Sequence, residues 1–436
     1  MAKVITDKIL IEKFLTRGVE KIYPSTDALR QKLMSGSRLR VYQGFDPSGP
    51  YLHVGHAMGI RALRILQELG HEVIFLVGDY TAKVGDPDKD STRAILTDET
   101  IKKNMTGWKK QAAQLIDFAG KNPVRFERNY TWLSKLKLND LIKLMSYMTV
   151  PQMLARDLFK KRLEEGKDIY LQEFIYPLMQ GYDSVAMKVD IEIGGTDQTF
   201  NMLVGRDLCK SYLGKEKFVR TNKMMDAPDG VTMSKTRGNG INLGDSAEDM
   251  YGKAMSYPDS AILSGLELLT DISMDVIKEI GNSLKRGENP MQYKKMMAFE
   301  IVKTIKGVKE AQAAQVYFER TIQQKEIPQK IEIINLRERC SDLLAQIKKC
   351  KDSADKKNRE EFLELLKSLS DKNSIINILV GIGLATSKGE ARRLIEQGGI
   401  KIDGEVIKNP NAIINISEKG ILVQRGKRQF VRVIKK

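Results

Sequence analysis

Two of the chain's three histidines, His53 and His56, stand three residues apart at the end of the Gly- and Pro-rich stretch GFDPSGPYLHVGH, residues 44–56. Compact imidazoles that are neutral or charged near pH 7 suit hydrogen bonding to phosphate and ribose oxygens. Gly44, Gly49 and Gly55 allow a backbone to approach a ligand closely. The same histidine pair could simply cap the helix that follows. Much further along, GVTMSKTRGNGI (230–241) sets Lys235 among small and glycine residues. A basic loop of this kind can fold over a pyrophosphate and neutralise charge that builds in a transition state. Taken alone, it reads as a solvated lysine loop; the order of the two segments is what gives them weight.

The elements that must position these loops are legible from periodicity. RLRVYQGF (38–45) reads as a strand, GHAMGIRALRILQELG (55–70) as a helix closed by Gly70, and HEVIFLVGD (71–79) as a strand buried on both faces. Strand, helix, strand is a right-handed βαβ unit, and the first loop lies beyond the carboxyl end of its first strand. A helix N-terminus there presents free N–H groups that favour phosphate. KVDIEIGGTDQ and TFNMLVGRDLCKSYL repeat the strand–loop–helix order. The expected fold class is α/β: a doubly wound, Rossmann-like parallel sheet over 1–245 with a helical N-terminal arm. An α-helical domain over 246–350, a charged linker over 351–372 (KDSADKKNREEFLELLKSLSDK) and a small α+β domain over 373–436 follow. In the last of these, a helix gives way to short strands separated by Asp-Gly and Arg-Gly turns. No internal repeat stands out.

Composition narrows the function classes. A length of 436 accommodates about three domains, and 42% apolar residues can bury substantial cores. The formal charge of +16 favours a polyanionic partner such as nucleic acid. Residues 371–436 alone carry 13 Lys and Arg against 6 Asp and Glu, an excess of 7. Cys209, Cys340 and Cys350 are an odd, unclustered set, which supports neither a disulfide framework nor a zinc site. No metal ligands are assigned. The N-terminal segment lacks the apolar core of a signal peptide, and no run reaches a membrane span, so a soluble, cytoplasmic protein is expected.

HVGH (53–56) and MSKT (233–236), in this order around one α/β domain, resemble the HIGH and KMSKS signatures of class I aminoacyl-tRNA synthetases. YQGFDPSGPYLHVGH, LVGDYTAKVGDP, FIYPLMQGYDS and EIGGTDQTFN carry the resemblance further, to the bacterial-type tyrosyl-tRNA synthetases. The tail segment LATSKGEARRLIEQGGIKIDGEVI resembles the RNA-binding module of ribosomal protein S-four. The resemblance covers essentially the whole chain and implies activation of L-tyrosine by ATP, with Mg²⁺ as counterion, and transfer to tRNA(Tyr). It also implies roles for particular residues. Tyr42 and Asp183 would meet the substrate phenol; Asp86, Tyr176 and Gln180 its ammonium; and Gln198 its carboxylate. ATP would lie against Gly44, Asp46, Ser48, His53, His56, Gly195, Asp197, Lys235 and Thr236, with His53, His56 and Lys235 acting catalytically. Lys89 and Arg93 would reach pyrophosphate, at a spacing after Asp86 about one residue off the commonest pattern. Lys388, Arg392, Arg393, Lys401, Arg425, Lys427 and Arg428 would contact RNA phosphates. A homodimer built on an insertion near 125–165, with tRNA reaching across subunits, is implied too.

The second loop departs from that family at Thr232, where its first lysine would stand. Lys235 must then carry the charge, alone or with Lys223 or Arg237. Two other readings stay open: the sister tryptophan enzyme, and a synthetase-like RNA-binding protein that has lost catalysis. Asp46, the full HVGH and the appended RNA module argue against the first; Thr232 alone favours the second.

Overall fold

The computed structural model describes residues 2–86, 96–225, 240–324, 331–349, 363, 374–426 and 429–434. The chain divides into two compact units, Met1–Ala314 and Gln315–Lys436.

The first unit is built on six strands: β1 (Val19–Tyr23), β2 (Arg40–Phe45), β3 (Glu72–Val77), β4 (Arg125–Arg128), β5 (Ile191–Gly195) and β6 (Phe218–Asn222). Their order is β1-β6-β5-β2-β3-β4, parallel throughout except for β1 at the edge. β3 (EVIFLV) is apolar on both faces because both are covered, as periodicity predicts. β2 and β3 follow one another in space, whereas β5 enters on the other side of β2 with Val41 opposite Ile191 and Tyr42 opposite Glu192. The strand order therefore reverses between β2 and β5, and a crevice opens at their carboxyl ends. β4 occupies the first residues of the expected insertion and extends the sheet rather than standing outside it.

The helix Val54–Glu68 starts directly after the histidine-bearing loop. The helices Tyr176–Met187 and Thr199–Leu213 cross closely because Gly181 and Gly205 face each other; a Cβ on Gly181 would lie 3.2 Å from the Gly205 backbone. The helices Ala247–Met255, Ile262–Leu269, Met274–Lys285 and Pro290–Lys306 follow and pack through Met250, Leu266, Met297 and Ile301.

The third histidine, His71, is buried where β3 begins, and its Nδ1 accepts a hydrogen bond from the Leu39 N–H at 3.2 Å. Burial, reinforced by Arg38 and opposed by Asp190, lowers its pKa to about 4. An unfolded histidine takes up its proton near pH ~6.5. Between those values the unfolded state binds more protons, so stability falls as pH drops through the window. Between pH 7 and pH 4.5, wild type should lose about 2 kcal/mol more folding free energy than His71→Gln, measured by denaturant titration at both pH values.

The second unit holds a five-stranded sheet of β7 (Glu332–Asn335), β8 (Ile400–Ile402), β9 (Glu405–Val406), β10 (Ile421–Arg425) and β11 (Gln429–Ile434), ordered β7-β11-β10-β8-β9. The helices Ile375–Gly381 and Lys388–Glu396 cover it through Ile375, Leu379, Ala391 and Ile395. One expectation is corrected here. Residues 246–350 are not uniformly helical, because EIIN (332–335) forms β7 and pairs in parallel with β11. Leu336 then enters the same core. Four residues with two central isoleucines give no alternation that sequence could register. The expected linker, 351–372, lies outside the described residues apart from 363.

Candidate active site

The crevice between β2 and β5 collects the expected substrate residues from five segments. Tyr42 lies within β2, and Asp46 follows its last residue. Tyr176, Gln180 and Asp183 are spaced i, i+4, i+7 on one face of a single helix. Gly195 ends β5, and Asp197 and Gln198 occupy the 3₁₀ turn after it. Gly44, at the carboxyl end of β2, is open to solvent.

Hydrogen bonds join these groups into one network. The Tyr176 hydroxyl donates to Asp46 Oδ2 and the Thr81 hydroxyl to Asp46 Oδ1, both at 2.8 Å. A Cβ on Gly78 would come within 2.0 Å of Asp46 Oδ1, so glycine is required for the carboxylate to lie there. Asn129, fully buried, donates to Thr81 Oγ1 at 3.0 Å and to Asp183 Oδ2 at 3.1 Å. Trp132 Nε1 donates to Asp183 Oδ1 at 2.7 Å. Burial pushes the Asp183 carboxyl well above the usual carboxylate range, opposed by the Trp132 and Asn129 hydrogen bonds. Burial, with Glu192 and Asp183 nearby, likewise raises Tyr42 well above an ordinary phenol, so it keeps its proton. Gln198 Nε2 donates to Asp86 Oδ2 at 2.7 Å, and Gln180 Nε2 to Glu192 Oε1 at 3.1 Å. Gln180 Oε1 is buried and finds no partner among the described residues, so it is an acceptor awaiting a donor.

His53 is the N-cap of Val54–Glu68, and its N–H donates to His56 Nδ1 at 3.1 Å, with the rings 3.8 Å apart. The helix-capping role therefore exists and does not compete with a ligand role. With Nδ1 accepting, a neutral His56 carries its proton on Nε2 as a donor. The chain returning from the second loop lies alongside: Val54 N–H donates to Ile241 O at 2.9 Å, Leu243 N–H to Leu52 O at 2.8 Å, and His53 bridges Asn242. The first motif and the chain that follows the second loop thus meet in space. Ser48 is half-buried, its N–H on Asp46 O at 2.8 Å. Lys235, Thr236, Thr232 and Arg237, with Lys89 and Arg93, lie outside the described residues. Lys223 does not stand free to supplement Lys235; it pairs with Glu267 at 2.8 Å.

Sequence reasoning missed Asn129 and Trp132, which aim Asp183, and Ser184, Glu192 and Lys217 beneath Tyr42. Glu192 carried a signal, as an acid at a buried position of a central strand. Asn129 and Trp132 carried none, since only the fold brings them to Asp183.

In the second unit, Lys388, Arg392 and Arg393 are exposed on the helix Lys388–Glu396, and Lys401 is half-buried on β8. Arg425, expected to contact RNA phosphate, is held within the unit. Its guanidinium is clamped by the Leu384 carbonyl and by Glu390 Oε1 at 2.8 Å, because the side chain lies over the helix start. Lys427 and Arg428 lie outside the described residues.

Comparison with known proteins identifies the family. Residues 34–323 match the family described as tRNA synthetases class I (W and Y), and residues 375–419 match the S4 domain. The tyrosine–tRNA ligase of Thermotoga maritima is 38% identical over 97% of this chain and 96% of its own length. That of Aquifex aeolicus is 38% identical over 97% and 98%. A C-terminally truncated mitochondrial tyrosyl-tRNA synthetase of Aspergillus nidulans, 24% identical, shares the fold at a TM-score of 0.61 over 72% of this chain and 94% of that one. Among the described residues, no helix is long and apolar enough to cross a membrane. The chain belongs to the class I tRNA synthetases, in their tyrosine group, and carries an S4 domain toward its C-terminus.

Proposed function

We infer that the protein is a tyrosine–tRNA ligase. It activates L-tyrosine with ATP to tyrosyl-adenylate and pyrophosphate, then transfers tyrosine to the 3′-terminal adenosine of tRNA(Tyr). The carrying observation is the buried carboxylate of Asp183, aimed by Trp132 and Asn129 at 2.7 and 3.1 Å beside the Tyr42 phenol. A substrate phenol can donate to Asp183 and accept from Tyr42; phenylalanine would leave both unpaired and desolvated, which costs binding. At the other end of the substrate, Gln180 Oε1 offers its unused lone pairs to the ammonium, near Tyr176 and Asp86, with Gln198 beside the carboxylate.

The substrate carboxylate attacks the α-phosphate of ATP, which enters with Mg²⁺. No enzyme nucleophile is needed. The protein contributes positioning and stabilisation of phosphate charge by His53, His56 and Lys235, with Lys89 and Arg93 as further cations for pyrophosphate. Ser48 and Gly44 line the phosphate side, and Gly195 and Asp197 the ribose side. A Cβ on Gly195 would come within 2.3 Å of Asp197 Oδ1, so that carboxylate needs a glycine beside it.

Lys388, Arg392, Arg393 and Lys401 give the second unit a basic surface for RNA phosphates. The domain reading is a catalytic region to about residue 245, a helical region after it, and a C-terminal RNA-binding domain. Leu138, Ile142 and Met145 form an exposed apolar stripe at i, i+4, i+7 on the helix Leu138–Met145. Such a stripe favours cover by a second copy of the chain; sedimentation as a monomer would refute the dimer. The setting is the cytoplasm. Tyrosine-dependent ATP–pyrophosphate exchange tests the main reading, and exchange with tryptophan alone, or with no amino acid, overturns it.

A further inference from the structure

The helix Thr199–Leu213 starts in a way that forgoes two ordinary sources of stability. Its N-cap is Gln198, whose side chain makes no capping hydrogen bond. Ser, Thr, Asp or Asn at that position would satisfy a free N–H of the first turn. Three residues on, Asn201 is 0% exposed, and its Oδ1 is buried without a partner among the described residues. An orphaned buried acceptor costs stability. The surrounding backbone is firmly held. Thr196 Oγ1 donates to Asn222 O at 2.8 Å, and Thr199 Oγ1 to Thr196 O at 2.6 Å. β5 passes close by, since a Cβ on Gly194 would lie 2.8 Å from Met202 Sδ and 3.3 Å from Gln198 Cβ. With the backbone fixed, what is left to set is the rotation of the Gln198 carboxamide.

Three hydrogen bonds set it. The terminal torsion of a glutamine is broad and roughly two-fold, so the partners choose which end of the amide faces where. Gln198 Nε2 donates to Asp86 Oδ2 at 2.7 Å and to Asp197 Oδ2 at 3.1 Å, which commits both of its protons. From the other side, Asn201 Nδ2 donates to Gln198 Oε1 at 3.2 Å. Without substrate, the two acids hold the NH₂ end by themselves. An ammonium drawn to Asp86 changes that, because it competes for the oxygen that Gln198 uses and frees one Gln198 proton. One acid then no longer holds the carboxamide, and Asn201 decides its orientation. Resting on the tyrosine-ligase reading, we propose that Asn201 is a positioning residue for the carboxylate end of the substrate. It keeps Gln198 Oε1 turned away, so that the freed N–H, rather than the carbonyl oxygen, meets the substrate carboxylate. A reversed carboxamide would set its oxygen against the carboxylate, acceptor to acceptor. The costly, half-used amide of Asn201 thereby has a reason to be there.

Isothermal titration with tyrosine and with tyramine, which keeps the phenol and the ammonium but lacks the carboxylate, provides the test. N201A should weaken tyrosine binding by about tenfold, the worth of one hydrogen bond to a charged group. Tyramine binding and the KM for ATP in pyrophosphate exchange should stay within about twofold of wild type. N201S should give the same split, because its shorter side chain leaves Gln198 Oε1 out of reach, so the test does not hang on one variant. In a Q198A background, adding N201A should cost tyrosine binding less than about twofold, as expected if Asn201 acts through Gln198. Unchanged tyrosine affinity in N201A and N201S overturns the proposal. So does an equal loss for tyrosine and tyramine, which marks a purely structural role, or a full tenfold loss in the Q198A background. If wild type itself shows no tyrosine-dependent exchange, it is the ligase reading that fails.

Discussion

Asp183→Ala should raise the KM for tyrosine in pyrophosphate exchange by about a hundredfold or more, leave the KM for ATP within about twofold, and leave tRNA binding intact. The size follows from what the substitution strands. Asp183 is 2% exposed, and its two oxygens accept from the Trp132 indole and from the Asn129 amide. Removing the carboxylate deletes the proposed acceptor for the substrate phenol and leaves the Trp132 and Asn129 donors without it. Asp183→Asn keeps the shape but presents an NH₂ group to one of those donors, so it should also be impaired. Isothermal titration with tyrosine, together with the exchange constants, separates ground-state binding from the chemical step. Unchanged tyrosine affinity would mean that the phenol binds elsewhere. The proposed ATP groups on the His53–His56 loop and after β5 make no direct hydrogen bond to Asp183 among the described residues, which is why their constants should be spared.

The second large effect concerns the C-terminal unit, and the structure changes where the cut belongs. Truncation at 373 would seem natural from composition, since the basic tail begins there. Yet β7 pairs with β11, and Leu336, 1% exposed, packs in the same core as Ile375 and Ile395. Cutting at 373 would expose the ladder groups of β7 and strip Leu336 of its partners, inviting aggregation. Ending the chain at 324 removes the whole second sheet. That shorter protein should catalyse tyrosine-dependent exchange within about twofold of wild type. It should lose about one to two orders of magnitude in aminoacylation kcat/KM, because the proposed phosphate contacts of Lys388, Arg392 and Arg393 go with it. A second readout is the salt slope. The logarithm of tRNA affinity should fall less steeply with the logarithm of salt in the truncated protein, since fewer counterions are released. Equal aminoacylation and an equal slope would remove the tail from tRNA recognition.

The sequence by itself determined the α/β class, the position of the crevice and most of the residues lining it. Parallel strands buried on both faces read as continuous apolar runs, and EVIFLV (72–77) is such a run. Loops at the ends of such strands carry their glycines, histidines and acids in fixed local order, which is why HVGH, GYD and GGTDQ were legible. Tertiary structure alone decided what those residues do for one another. Asn129 and Trp132 reach Asp183 across more than fifty positions of sequence. Lys217 reaches Ser184 across 33. Arg425, a plausible phosphate ligand in sequence, is held by Glu390, 35 residues earlier. β7 joins a sheet whose other strands begin more than sixty residues later. The physical reason is the same in each case. Periodicity records which face of an element is buried, a local property written every two or four residues. The partner of a buried polar group is fixed by which elements pack together, and hydrogen bonding at ~2.9 Å leaves no trace in spacing along the chain.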